Sequence, residues 1–133
     1  NLYWAKGEPQ QALALFVQAE PVFRQTQDDL RLARVNNGLG VVSLQLGQME
    51  QARAALTTSI ALSQKVGDRR LAANALDTLG ELHLRQGEPV EALARHDDAL
   101  AVLAELVDKP GFESLVAEIQ GHRQEALAAL QQT

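Results

Sequence analysis

Asn37-Gly38-Leu39-Gly40, with Gly47 and Ala52 downstream, and Thr78-Leu79-Gly80, with Gly87 and Ala92 downstream, are one pattern written twice at an interval of 40 residues. The same step reaches back to Gly7 and Ala12, and it links Asp28, Asp68 and Asp108. Ala33/Ala73, Leu44/Leu84 and Ala54/Ala94 keep the same register. A chain rich in Ala and Leu matches itself by chance at several positions, so the glycines and aspartates decide the matter. A fixed internal period of this size is the signature of a stacked-repeat architecture.

Each lattice point has a physical task. Gly47 and Gly87 suit a left-handed turn that ends a helix, where a side chain would clash. Glu8-Pro9 and Glu88-Pro89 then suit a helix start, with proline in the first position and an acid near the positive end of the helix dipole. Asp28, Asp68 and Asp108 stand where a capping side chain is wanted. Gly40, Gly80, Ala12, Ala52 and Ala92 are small in mid-helix, which lets two helices approach closely. The layout that follows is a helical tail over 1–6 and helices over 9–26, 29–46, 49–66, 69–86, 89–107 and 112–131. Connections this short make neighbours antiparallel. Pro21 falls inside the helix 9–26 and is expected to kink it or end it early.

Composition agrees. Hydrophobic residues are 46% of the 133, enough for a core without metal or crosslinks, and no cysteine is present to supply thiolate chemistry or disulfides. Ala, Leu and Gln dominate, and they lose little rotamer freedom in a helix. The net charge of −5 and the lack of any Lys/Arg cluster beyond Arg69–Arg70 argue against nucleic acid and against anionic membranes as partners. No apolar run reaches the roughly 18 residues a membrane span needs, and no signal peptide is visible. The composition fits a reducing, cytoplasmic setting. The chain starts in mid-pattern without Met and is expected to be a piece of a longer protein.

The Leu-Gly pairs at 39–40 and 79–80, the turn glycines seven residues on and the alanines five residues after those resemble tetratricopeptide repeats. The resemblance covers about residues 1–107. It implies an all-α, right-handed superhelical stack of antiparallel helix pairs: a truncated first repeat (1–27), a second (28–67), a third (68–107) and a capping helix (108–133). The usual repeat has about 34 residues; the longer period here resembles repeats of bacterial regulatory proteins and some scaffolds. The bulky residue expected early in the first helix of a pair is Asn36 in one copy and Leu76 in the other. The last helix has an apolar stripe of Phe112, Leu115, Val116, Ile119, Ala126, Leu127 and Leu130, opposite Glu113, Glu118, Gln124 and Glu125, as a cap requires.

In such repeats the first helix of each pair lines the concave surface. By register, that face would present Trp4, then Arg34, Asn37, Val41 and Gln45, then Asn74, Asp77, Glu81 and Arg85. Spacings of three and four place each set on one stripe. The resemblance implies a protein or peptide partner, an extended peptide or helix lying across both stripes, and no enzyme or cofactor. The lysines, Lys6, Lys65 and Lys109, are off this face, which removes the lysine grip on a C-terminal carboxylate that some members use.

Two other readings compete. The half repeat at the N-terminus would leave Leu13, Phe16 and neighbouring apolar residues open, which predicts a homodimer through that edge. His83 and His96 occupy lattice positions that pack a helix pair together, and with Asp97 or Asp108 they resemble, in residue type only, the all-helical metal-dependent phosphohydrolases. The His-to-His spacing is too short for that class, so these histidines are expected to be packed or hydrogen-bonded rather than ligands, and no metal is assigned. Asp28–Asp29 and Asp97–Asp98 read as helix-start and surface charges, not as an acid/base pair, and His122 reads as exposed or at the rim of the cap.

Overall fold

The computed structural model describes residues 8–106 and 108–132. Six α-helices follow one another: α1 Glu8–Gln25, α2 Asp29–Gln45, α3 Met49–Val66, α4 Arg69–Arg85, α5 Pro89–Leu103 and α6 Glu113–Gln131. A 3-10 turn, Ala104–Leu106, prolongs α5. There is no strand among the described residues. Every helix packs on the next one in sequence, the arrangement of an all-α solenoid.

The stack has two ranks. α2 touches α4, and α4 touches α6, whereas no Cα of α1, α3 or α5 comes within 8 Å of another helix of that set. Open clefts of about 550 Å³ between α1 and α3 and about 480 Å³ between α3 and α5 show the same splaying. A double row that is closed on one side and spread on the other curves toward the closed side. The inner face therefore belongs to α2, α4 and α6.

The helix ends follow from the lattice. Gly47 and Gly87 take φ of +76° and +75° and close α2 and α4. Asp28 accepts a hydrogen bond from the Arg31 N–H at 3.1 Å, and Asp68 from the Leu71 N–H at 3.0 Å, so each satisfies one orphan donor of a first turn. Asp108 departs from this. Phe112, not Asp108, precedes α6, because the 3-10 turn and the Lys109-Pro110-Gly111 connection delay the next helix. Of the two outcomes expected at Pro21, early termination is not found: α1 continues to Gln25.

The mid-helix glycines are contact points. A Cβ at Gly40 would overlap the Leu56 side chain of α3, and one at Gly80 would come within 2.6 Å of the His96 ring of α5. Leu56 and His96 are both fully buried and sit 40 residues apart, so the repeat holds at the level of individual contacts. Asn36, standing where a bulky residue is expected, is buried and donates its amide to the Leu32 carbonyl at 3.0 Å. The core runs along the stack, first through Leu44, Leu56, Leu79 and Leu82, then through Leu76, Leu103, Leu115 and Ile119. The stripe of α6 supplies Leu115, Ile119 and Ala126 to it, while Glu113, Glu118, Gln124 and Glu125 stay exposed.

α1 is the loosest element and buries none of its side chains fully. Phe16 nevertheless lies over Gly38, and Leu13 is half-buried, so these are not the open residues. Those that stand out are Leu15, Val17 and Val22. Leu15 and Val22 project on one side of α1, while Val17 points the other way and lines the open cleft between α1 and α3 beside the half-buried Leu13.

Candidate functional site

The expected inner-face residues fall into two groups. On α2, Arg34 and Gln45 are exposed, and Asn37 and Val41 are half-buried. The amide oxygen of Asn37 has no hydrogen-bond partner in the protein. On α4, Asn74 and Glu81 are half-buried, and Arg85 is exposed. Arg85 donates to the Leu44 carbonyl at 3.1 Å, in the last turn of α2, and so couples the two inner helices. Trp4 lies outside the described residues.

Asp77 behaves differently. It is only 5% exposed, and its carboxylate holds two histidines from two other helices. The Nδ1–H of His96, on α5, donates to Oδ1 at 2.8 Å, and the Nδ1–H of His122, on α6, donates to Oδ2 at 2.7 Å. On its far side, His122 Nε2 approaches Glu81 Oε1 at 3.4 Å. The two imidazole rings lie 5.9 Å apart, tilted by 39°. His96 is fully buried, and its Nε2 finds no partner in the protein.

His83 and His96 are hydrogen-bonded, as expected, but to different partners, and His122 lies deeper than expected. His83 and His96 do not act together: His83 pairs with Glu88 at 2.8 Å, and His96 turns to Asp77. Asp97 pairs with Arg123 at 2.6 Å, a surface link between α5 and α6. His122, expected at the rim, is part-buried at the junction of α4, α5 and α6. The sequence did carry a signal for this. Leu115, Ile119, His122 and Ala126 are spaced by four, three and four, so His122 stands on the core-facing stripe of its helix.

The junction shifts two ionisations. Burial pushes the Glu81 carboxyl above its ordinary value of 4.5; His122 and Arg85 oppose this and Asp77 adds to it. Burial alone would lower His122, but the charge and hydrogen bond of Asp77, with Glu81 and Glu125, outweigh it and raise the ring above 6.5. A folded-state pKa above the unfolded one contributes stability that is complete below the unfolded value and is lost as pH rises through the folded value. Both groups act in that direction. Glu81 begins to lose its contribution as pH rises past about 4.5 and His122 as it rises past about 6.5, so in chelator-treated buffer the melting temperature is expected to fall as pH rises beyond those values. Thermal melts of wild type and His122→Gln check this. The variant should show a flatter profile, and parallel profiles would disprove the role of the ring.

A family model for the tetratricopeptide repeat matches residues 31–105, more than half of the chain. The chain belongs to that family, whose repeats are non-catalytic scaffolds for protein–protein interaction. No curated protein matches the chain. No described helix is long and apolar enough to cross a membrane.

Proposed function

We propose that the chain binds an extended peptide or a helix of a partner protein along its inner face, chiefly on α2 and the start of α4. The observation that supports this is the asymmetry of the inner rank. The junction with α6 occupies Asp77 and Glu81, whereas Arg34 and Gln45 project from α2 as exposed side chains, with Asn37, Val41 and Asn74 half-open beside them. Repeat arrays use such curved surfaces to bind partners. The mixed side chains favour a polar ligand over an apolar helix face. The 40-residue period supports a place in a larger regulatory protein, as an adaptor or sensor segment.

The test is selection of ligands from a random peptide display library, followed by measurement of their affinities. Arg34→Ala with Asn74→Ala should weaken the selected peptides at least tenfold, about 1.4 kcal/mol. Its melting temperature should stay close to wild type, since neither side chain lies in the core. Unchanged affinity in the double variant would rule this face out.

A further inference from the structure

We propose that Asp77, Glu81 and His122 form a binding site for a divalent transition-metal ion of the zinc class, which staples α6 to α4. Asp77 and Glu81 are one turn apart on α4, and His122 reaches them from α6. One donor atom from each side chain lies within 4.8 Å of the other two. Bonds of about 2.0–2.2 Å in a tetrahedral site place donors roughly 3.5 Å apart. Closing the cluster on an ion requires His122 to give up its hydrogen bond to Asp77 and turn, so that one deprotonated ring nitrogen faces the gap between the two carboxylates.

Three features make this more than a chance grouping. The first is positioning. His96 holds Asp77 Oδ1 at 2.8 Å, and the His96 ring is itself wedged against Gly80, so Oδ2 stays turned toward His122. Ligating carboxylates are oriented by such outer hydrogen bonds. The second is charge. Two carboxylates, the buried Asp77 and the half-buried Glu81, share this place, and they meet in it a histidine rather than a hydrogen-bonded lysine or arginine. The third is access. Asp77 is buried, but the side chains of His122 and Glu81 are 23% and 34% exposed, which gives an ion a way in and leaves a position for water. One imidazole with two carboxylates is a donor set for zinc and its neighbours rather than for magnesium or calcium, which take oxygen donors.

The experiment titrates zinc chloride into the full 133-residue chain by calorimetry, in chelator-treated buffer, with parallel thermal melts. The chain has no cysteine, so no thiolate site competes. One ion per chain and a raised melting temperature are expected. Glu81→Gln should bind at least tenfold more weakly while staying folded, because Glu81 has no contact in the cluster closer than its 3.4 Å approach to His122. His122→Gln should lose the site, and His83→Gln, at the separate pair with Glu88, should keep it. Magnesium at the same concentration should leave the melt unmoved. Absence of zinc binding, equal binding by wild type and Glu81→Gln, or an equal shift with magnesium would each overturn the assignment.

Discussion

Asp77→Ala is expected to destabilise the fold by about 3–5 kcal/mol, since two ring donors lose their acceptor and each buried donor left unsatisfied costs about 1–3 kcal/mol. Two histidines lose their acceptor at once. His96 is fully buried and already has one unpartnered nitrogen, so the substitution leaves both its polar atoms without partners inside the protein. His122 loses its shorter hydrogen bond and keeps only the 3.4 Å approach to Glu81. For a chain of this length the loss corresponds to a fall of roughly 10–20 °C in melting temperature. A domain stable by about 5–15 kcal/mol would remain folded at room temperature but with little reserve. Asp77→Asn should fall between wild type and Ala, because an amide can accept from one ring but turns its own N–H₂ toward the other. Thermal and urea melts of the three proteins decide it. A change in Asp77→Ala below about 1 kcal/mol, the range of a surface substitution, would show that the junction is not structural. The result bears on function too. A binding assay that replaced Asp77 would confuse lost folding with a lost contact, whereas Arg34 and Asn74 avoid that confusion.

The helical repeat was legible because its signals are local. Gly47 and Gly87 adopt the left-handed turns their type suggests, and Asp28 and Asp68 cap the helices that start beside them. Each depends on backbone geometry within a few residues. Gly40 and Gly80 were legible for another reason, since close helix approach needs a small residue on one side whatever stands opposite. Asp108 shows the limit of the lattice. It keeps the period but not the role, because the chain after α5 is rerouted through a 3-10 turn and a proline. The inner-face register was legible as a stripe, but the fate of each position was not. Asn74, Asp77 and Glu81 share one face of α4, and only the placement of α6 decides that Asp77 and Glu81 meet a histidine while Asn74 does not. That is a long-range fact, with Asp77 and His122 separated by 45 positions in the sequence. The stripe of α6 hinted at a histidine facing inward, yet it did not say which group would receive it.

Leu56→Ala is expected to cost about 2–5 kcal/mol, as for a fully buried leucine whose site cannot collapse. Leu56 is 0% exposed and lies against Gly40. Gly40→Ala has two opposed effects. Its new Cβ overlaps the branch point of Leu56, and overpacking costs about 1–3 kcal/mol. The gain in helix propensity returns about 1 kcal/mol. The net change is destabilising, because the atom in the way is not the free end of a flexible chain. The double variant is the sharper measurement. With Leu56 shortened, the methyl introduced by Gly40→Ala enters space the leucine has left, so the overlap disappears and part of the cavity is filled. The double variant should be more stable than the sum of the single effects allows, by about 0.5–3 kcal/mol of coupling, and Gly40→Ala should become neutral or stabilising in the Leu56→Ala background. Denaturant melts of the four proteins give that coupling. Additive effects would mean that the glycine is not there to admit the leucine. The same cycle at Gly80 and His96 should not show this rescue. Removing the His96 ring relieves the overlap but strips Asp77 of a hydrogen-bond donor, so the two halves of the repeat, alike in shape, should differ in what their contact does.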